Sequence, residues 1–366
     1  MSIVPYNHLP DYIKFKEKYD NAISNEVMKG AFINGHSVNE LETKLSKYIN
    51  IKHTICLSSG TDALLIALLA LDIKPGDEII TTPFTWISTS EVIVLLGAVP
   101  VFVDINRETF NIHEKQIENA ITNKTKVILP VSLFGQMCNL TEIMQIANKH
   151  GLFVVEDAAQ SMGAMIGNNK SGSIAHISCT SFYPTKPLGG WGDGGACFTN
   201  DDNLAHKMKC IRNHGAIQRD NHDYIGLNSR MGSIIAAVLN IKLDNLECSL
   251  SNRIKIAERY DNELKDLTSI ILPKKIYEKH VYAQYTILLK NKDIRDKFIE
   301  YMKNNQVIVC AFYPKPLYKQ TCMQQFYKDC PVTDEISDRC VSLTCYDGLT
   351  YEEQTKIIDL TSTYFK

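Results

Sequence analysis

Between residues 53 and 200 the chain alternates short apolar runs with longer segments in which apolar residues recur at helical spacing. The runs are nearly continuous, which is typical of strands buried on both faces of a parallel sheet. We therefore predict an α/β fold with a mostly parallel sheet between helices, in which ligands bind beyond the carboxyl ends of the strands. The predicted strands are 53–57, 78–82, 99–105, 126–131, 152–155, 176–183 and 196–199, and the predicted helices are 63–72, 88–97, 113–121, 139–150 and 201–212.

The segments on either side of this alternation have a different pattern. Residues 1–50 are polar and helical in tendency, and we expect them to pack across the surface of a larger domain. Beyond residue 200 the pattern predicts long helices at 231–243 and 247–267, strands at 281–290 and 307–311, and helices at 294–304 and 351–364. These changes predict a large domain over residues 1–245 and a smaller C-terminal α/β domain over residues 246–366.

Composition narrows the class of protein. The 366 residues are 45% hydrophobic and 22% charged, as in globular proteins, and the net charge of -2 gives no support for nucleic-acid or membrane-surface binding. The longest apolar run, 63–71, is too short to span a bilayer, and no signal peptide is visible. Eleven cysteines without a Cys-x-x-Cys pair indicate reduced thiols, no metal site and a cytoplasmic location.

One lysine has the surroundings of a nucleophile. Lys186 lies in a loop between the predicted strands 176–183 and 196–199. Pro184 and Pro187 stiffen this loop, and the glycines that follow allow close approach of the backbone. Most lysines are solvated surface charges. At the end of a core strand, however, partial burial lowers an ammonium pKa and frees the amine to form a Schiff base.

Three other strand ends carry residues with possible chemistry. Segment 56–62 contains Ser, Gly and Thr between a strand and a helix, and it can bind a phosphate or simply cap the helix. Asp157 and Gln160 follow a buried strand, where the acid can hold a protonated ring nitrogen or cap a turn. Trp86 can stack on a flat ligand or pack beneath a loop.

These features together fit one cofactor better than any of them does alone. Pyridoxal 5'-phosphate needs an anchored phosphate, a stacked ring, an acid on the ring nitrogen and an amine for its aldehyde. The competing dinucleotide motif, Gly-x-Gly-x-x-Gly at 190–195, precedes a predicted strand instead of opening a helix. A nicotinamide-dependent oxidoreductase is therefore the weaker alternative.

The chain resembles the sugar aminotransferases of the DegT/DnrJ/EryC1/StrS family, a branch of the fold-type I pyridoxal-phosphate enzymes, over nearly its whole length. The resemblance implies a large domain with a seven-stranded sheet. It is carried by residues 59–64 (SGTDAL), 156–161 (EDAAQS), 181–186 (SFYPTK), 192–195 (GDGG), 228–231 (NSRM) and 313–317 (YPKPL).

The resemblance implies a role for each matching position around the cofactor. Lys186 would form the Schiff base with pyridoxal phosphate and then transfer the proton between the cofactor and the substrate carbon. Asp157 would bind the ring nitrogen, Gln160 would contact the ring hydroxyl, and Trp86 would stack on the ring. The residues implied to hold the phosphate are Gly60, Thr61, Asp62 and Ser181.

Other matching positions imply a partner and a substrate. Asn228 would reach the phosphate of the neighbouring subunit's cofactor, so the active unit would be a homodimer with shared active sites. His214, Arg230 and Tyr313 would face the sugar.

The implied reaction moves an amino group from L-glutamate to a keto group of a nucleotide-linked sugar, in the biosynthesis of amino sugars for lipopolysaccharide or another surface glycan. Segments 283–286 (AQYT) and 313–317 resemble the subgroup that aminates C3. Amination at C4 of a 4-keto sugar and a non-aminotransferase, pyridoxal-phosphate-binding role are the alternatives. A dehydratase of this family would have histidine in place of Lys186. Phe312, Trp191 and the proline-free segment 342–345 depart from the family pattern and leave the substrate open.

Overall fold

A computed structural model of the protein describes residues 2–218 and 220–366. Nine strands precede residue 200: β1 His53–Leu57, β2 Glu78–Thr81, β3 Val99–Phe102, β4 Thr125–Leu129, β5 Phe153–Asp157, β6 Met165–Ile166, β7 Asn169–Lys170, β8 Ile177–Ser181 and β9 Gly195–Thr199. Seven of them form one sheet in the order β1-β9-β8-β5-β4-β2-β3. Only β9 runs antiparallel to its two neighbours, β1 and β8. The predicted mostly parallel, seven-stranded sheet is confirmed.

Helices cover this sheet on both faces. They are α1 Leu9–Lys29, α2 His36–Ile49, α3 Gly60–Ala70, α4 Ser88–Leu95, α5 Glu114–Ile117, α6 Leu140–His150, α7 Asp202–Arg212 and α8 Ser233–Asp244. Successive residues of one strand enter different cores: Ile128 joins one hydrophobic cluster, whereas Val127 and Leu129 join the other. A strand buried in this way has no polar face, which explains the continuous apolar runs in the sequence.

The C-terminal region, residues 246–366, contains α9 Leu246–Leu264, β10 Tyr285–Leu288, α10 Lys292–Asn304, α11 Pro331–Arg339, β11 Cys340–Leu343 and α12 Tyr351–Phe365. Its core cluster contains buried residues from Ile256 to Ile358, and Ile3 from the start of the chain joins it. Backbone hydrogen bonds of Ile3 to Gln306 and Ile308 fix that contact. The division of the chain at residue 245 stays a prediction.

The predicted strand at 307–311 is wrong. Val307 and Cys310 form only isolated bridges, with Ile3 and Ser342. The strand that pairs with β10 is β11, which the sequence pattern did not predict. An apolar run shows that a segment is buried, but not which backbone it pairs with. The predicted strand 281–290 is also shorter than expected, because Tyr282 has a left-handed φ of 47° ahead of β10.

The C-terminal region provides a test of the predicted division. Phe298 is fully buried in the C-terminal core cluster, and Phe198 of β9 is only 1% exposed in a core cluster beside the main sheet. We expect Phe298→Ala to destabilise its own region by about 3–5 kcal/mol, because it leaves a large cavity. Both tryptophans, Trp86 and Trp191, precede residue 245. Trp86 lies beside Tyr313 of the C-terminal region, so the variants are made in a Trp86→Phe background. The remaining Trp191 packs against Tyr12 and Tyr19 of α1 and reports on the large part, while circular dichroism reports on both parts.

In urea, Phe298→Ala should lose part of its circular dichroism before its tryptophan fluorescence changes. The matched variant Phe198→Ala should shift the fluorescence transition instead. Coincident transitions of both probes in both variants would contradict two separately unfolding domains.

Candidate active site

Lys186 lies in the compact loop that joins β8 to β9. Phe182 N donates to Gly194 O at 2.8 Å, Gly190 N donates to Phe182 O at 2.7 Å, and Lys186 N donates to Tyr183 O at 2.9 Å. Burial lowers the pKa of the Lys186 ammonium, and the nearby Asp157 carboxylate opposes this shift. The partly buried amine is therefore easier to deprotonate than an exposed lysine, as a nucleophile requires.

Asp157 is the last residue of β5 and is only 6% exposed. Its carboxylate accepts hydrogen bonds from Thr89 Oγ1 at 2.9 Å and from Ala159 N at 3.1 Å. Burial raises the pKa of Asp157, and these two donors and the charge of Lys186 counteract the rise. No described basic side chain lies within ion-pairing distance of Asp157.

Gln160 follows Asp157 and is 4% exposed. Its Oε1 accepts from the backbone N–H of Phe134 at 2.8 Å, and its Nε2 donates to the hydroxyl of Tyr313 at 3.0 Å. Burial raises the pKa of Tyr313, so its phenol stays protonated. Tyr313 comes from the C-terminal region and packs edge-on against Phe84 at a ring-centroid distance of 5.9 Å. The two parts of the chain therefore meet at this site.

The first turn of α3 approaches the end of β8. A β-carbon built on Gly60 would lie 2.7 Å from Ser181 Cβ, so only glycine allows this approach. The Ser59 side chain accepts from the Asp62 amide at 3.0 Å, and the Ser59 carbonyl accepts from the Ala63 amide at 3.1 Å. The backbone amides of Gly60 and Thr61, the first two residues of α3, lie beside the Ser181 hydroxyl. A helix start with free amides and a hydroxyl suits a phosphate.

The carboxylate of Asp62 already has a hydrogen-bond partner within the protein. Its carboxylate accepts from Ser58 Oγ, which also lies 3.0 Å from Ser229 Oγ. Ser58 N donates to Ser229 O at 3.1 Å. Asp62 therefore links the start of α3 to segment 228–230 through Ser58. Its carboxylate is used in this contact.

Trp86 lies in the loop between β2 and α4 and is 61% exposed. Its ring centroid is 6.4 Å from that of Tyr313, at an interplanar angle of 42°. The exposed indole of Trp86 is therefore accessible to a flat ligand.

His214, Asn228 and Arg230 form a separate group. Arg230 Nε donates to Asn228 Oδ1 at 3.0 Å, and Arg230 Nη1 donates to Asn213 Oδ1 at 3.2 Å. His214 lies next to the group, because its backbone amide donates to the carbonyl of Leu227, the residue before Asn228, at 2.8 Å. Within the residues that the structure describes, no hydrogen bond or ion pair joins this group to Lys186 or Asp157.

The sequence did not predict two hydrogen-bond partners of Asp157 and Gln160. Thr89 binds the Asp157 carboxylate, and the Phe134 amide binds Gln160. Thr89 lies in the hydroxyl-rich segment 88–90, which was a usable signal. Phe134 acts through its backbone, so its side-chain type gave no signal. Gly190–Gly195 leads into β9 and not into a helix, which removes the basis for a dinucleotide site.

Comparison with known proteins agrees with this geometry. Residues 14–361 match the DegT/DnrJ/EryC1/StrS aminotransferase family. The UDP-2-acetamido-2-deoxy-3-oxo-D-glucuronate aminotransferase of Pseudomonas aeruginosa is 41% identical, over 92% of this chain and 93% of that protein. The structure of a DegT/DnrJ/EryC1/StrS aminotransferase from Brucella abortus aligns with a TM-score of 0.93 and 36% identity, over 97% of both chains.

A third relative has been solved with a cofactor. The Bacillus subtilis NtdA structure, with bound cofactor PMP, aligns with a TM-score of 0.91 and 31% identity, over 96% of this chain and 82% of that one. The fold and the arrangement of the site define an aminotransferase that depends on pyridoxal 5'-phosphate. The chain belongs to the DegT/DnrJ/EryC1/StrS aminotransferase family.

The residues present fit this cofactor. Asp157 is a buried carboxylate suited to a protonated ring nitrogen, and Gly60 lets the free amides at the start of α3 lie beside Ser181, an arrangement that suits a phosphate. Across residues 2–218 and 220–366, no group of three or more His, Cys, Asp or Glu side chains could hold a metal ion. No described helix is both long and apolar enough to cross a membrane.

The electrostatic link between Lys186 and Asp157 can be tested in the cofactor-free protein. Reductive methylation followed by mass spectrometry measures how much of each lysine is neutral at a given pH. We expect Lys186 to react at lower pH than exposed lysines, because burial lowers its pKa. In Asp157→Asn its profile should shift to still lower pH, because the carboxylate that favours the ammonium is removed.

The matched control is Asp329→Asn, which changes an exposed aspartate of the C-terminal region. It should leave the Lys186 profile unchanged. Identical Lys186 profiles in the wild type and Asp157→Asn would show that the carboxylate does not act on this amine.

Proposed function

We propose that the protein transfers an amino group from L-glutamate to C3 of a nucleotide-linked 3-keto sugar. The observation that carries this proposal is the partly buried amine of Lys186 beside the buried carboxylate of Asp157, at the end of the sheet where α3 begins. The Pseudomonas aeruginosa relative, named for a 3-oxo sugar nucleotide, supports the choice of C3.

Bound pyridoxal phosphate supplies an aldehyde that accepts an amino group and a ring that withdraws electrons. Lys186 would hold the aldehyde through its amine, and as a free amine it would act as the general base for the proton at the substrate carbon. Asp157 would accept a hydrogen bond from the ring nitrogen and keep that nitrogen protonated. Thr89 and the Ala159 amide hold the Asp157 carboxylate in this orientation.

The phosphate is held by Gly60, Thr61 and Ser181. Gly60 and Thr61 contribute the free amides at the start of α3, and Ser181 contributes its hydroxyl. Asp62 acts indirectly, because its carboxylate already accepts from Ser58 and its amide donates to Ser59. Gln160 contacts the ring hydroxyl, and Trp86 stacks on the ring.

Arg230 provides a positive charge for the substrate. Its side chain donates to two neutral amides, those of Asn213 and Asn228, and no described carboxylate pairs with it. A diphosphate or sugar carboxylate can therefore use this charge. Tyr313 and His214 offer polar groups for sugar hydroxyls. The product would be an amino sugar for lipopolysaccharide or another surface glycan, and the eleven free thiols support a cytoplasmic location.

We also propose a homodimer with shared active sites. His214, Asn228 and Arg230 form their own group on the surface, and Asn228 would reach the cofactor phosphate of the neighbouring subunit. Exposed apolar side chains on α1 and the segment after it offer a surface for a second copy; they are Leu9, Ile13, Val27, Met28, Phe32 and Ile33.

The first test is the absorbance of the purified protein before and after excess L-glutamate. We expect a band near the visible edge that shifts to shorter wavelength with L-glutamate, because Lys186 releases the cofactor when the amino group is transferred. Lys186→Ala should lose this band and lower the transfer rate by roughly 10²–10⁴-fold or more. Lys115→Ala, at an exposed lysine, is the control.

A screen of UDP- and dTDP-linked 3-keto and 4-keto sugars then identifies the acceptor. Product formation only from 4-keto sugars would contradict the assignment to C3. Full activity of Lys186→Ala would contradict the proposed reaction as a whole.

Subunit complementation tests the shared site. A mixture of equal amounts of Lys186→Ala and Arg230→Ala subunits, unfolded and refolded together, forms dimers of which half are mixed. If Lys186 and Arg230 of one site come from different subunits, each mixed dimer has one intact site, and the mixture recovers about a quarter of wild-type activity. If both residues come from one subunit, every site in a mixed dimer stays damaged and no activity returns.

A further inference from the structure

The short turn Leu133–Gly135 connects the main sheet to the C-terminal region. Val281 N donates to Gly135 O at 2.9 Å, and Gln284 N donates to Phe134 O at 3.4 Å. Both Phe134 and Gly135 have positive φ values, of 56° and 103°. The C-terminal region is therefore docked by its backbone onto this turn.

Gly135 is required for this docking. A β-carbon at this position would lie 2.7 Å from the backbone nitrogens of both Tyr282 and Ala283. Backbone atoms cannot swing aside as the end of a flexible side chain can. Any side chain here would push segment 281–284 away from the turn.

The same turn fixes the amide of Gln160. The Phe134 N–H can only donate, so the oxygen of the Gln160 amide must face it, at 2.8 Å. The amide nitrogen must then face Tyr313, whose oxygen accepts at 3.0 Å. This nitrogen carries two hydrogens, so one remains for a ligand oxygen. Tyr313 accepts from Gln160 and therefore keeps its own proton free to donate.

Tyr313 also belongs to the C-terminal region. This region therefore reaches Gln160 by two routes, through the docked turn at Phe134 and through the Tyr313 hydroxyl. A displacement of the region would change both hydrogen bonds of Gln160 at once.

We propose that Gly135 is a positioning residue that couples the seating of the C-terminal region to the orientation of Gln160 and Tyr313. With Gly135 in place, Gln160 presents a hydrogen to the ring oxygen of the cofactor, and Tyr313 presents its proton to the substrate. This inference rests on the proposed roles of Gln160 and Tyr313.

The test compares Gly135→Ala with Gly76→Ala. Gly76 has a similar positive φ of 87°, and a β-carbon there would meet no atom within 4 Å. Both variants have the backbone strain of alanine at positive φ, but only Gly135→Ala disturbs the docking. The readouts are the pH titration of the absorbance of the lysine-bound cofactor, and kcat.

A hydrogen bond to the ring oxygen favours its anionic form, so its loss raises the pKa of the lysine-bound cofactor. We expect Gly135→Ala to raise this pKa by about half a unit, as for one neutral hydrogen bond, and to lower kcat by about tenfold. Gly76→Ala should leave this pKa unchanged and keep kcat within about twofold of the wild-type value. Equal titrations of the two variants would overturn the proposal. A wild-type protein without a titrating band would instead contradict the proposed function.

A double-variant comparison tests the coupling itself. If Gly135 acts through Tyr313, then Gly135→Ala combined with Tyr313→Phe should lower kcat no further than the more damaging single change. Multiplied losses would show independent effects and overturn the proposal. If Gly135→Ala does not fold, Tyr313→Phe alone tests the hydrogen bond between Gln160 and Tyr313. It should raise the same pKa, and an unchanged titration would overturn the inference.

Discussion

The buried carboxylate of Asp157 is the charge on which the site depends. Burial alone would favour its neutral form, which could not hold a protonated ring nitrogen. Thr89, the Ala159 amide and the charge of Lys186 act against that tendency. The same carboxylate opposes the lowering of the Lys186 pKa. The two groups therefore set each other's protonation, and the parallel sheet brings them together because β5 and β8 end at the same edge.

The proposed phosphate site follows a different physical rule. It relies on backbone amides at the start of α3, where the helix has no partners for them. This arrangement requires the helix to begin very close to β8, and Gly60 makes that possible by having no side chain next to Ser181. In the proposed function, charge at the ring nitrogen and helix dipoles at the phosphate would hold the two ends of one ligand.

The C-terminal region completes the site instead of forming a separate one. Tyr313 reaches Gln160, and segment 281–284 docks on the turn that holds the other side of the same amide. The contact between the C-terminal region and the sheet therefore contributes directional hydrogen bonds to the site, in addition to buried apolar surface. Such bonds are lost over small displacements, so the position of this region matters for the chemistry beside the sheet.

The sequence by itself determined the sheet, its covering helices and the loop of Lys186, because strands buried on both faces have a local apolar pattern that needs no knowledge of their partners. It also placed Asp157, Gln160 and Gly60 at strand ends. Only the tertiary structure decided that β11 and not segment 307–311 pairs with β10, that Thr89 holds Asp157, and that the Phe134 amide holds Gln160. These contacts join residues far apart in the chain, and several act through backbone atoms that are alike in every residue. Local residue type therefore does not say which residues pair, although the hydroxyl-rich segment 88–90 marked Thr89 as a candidate donor.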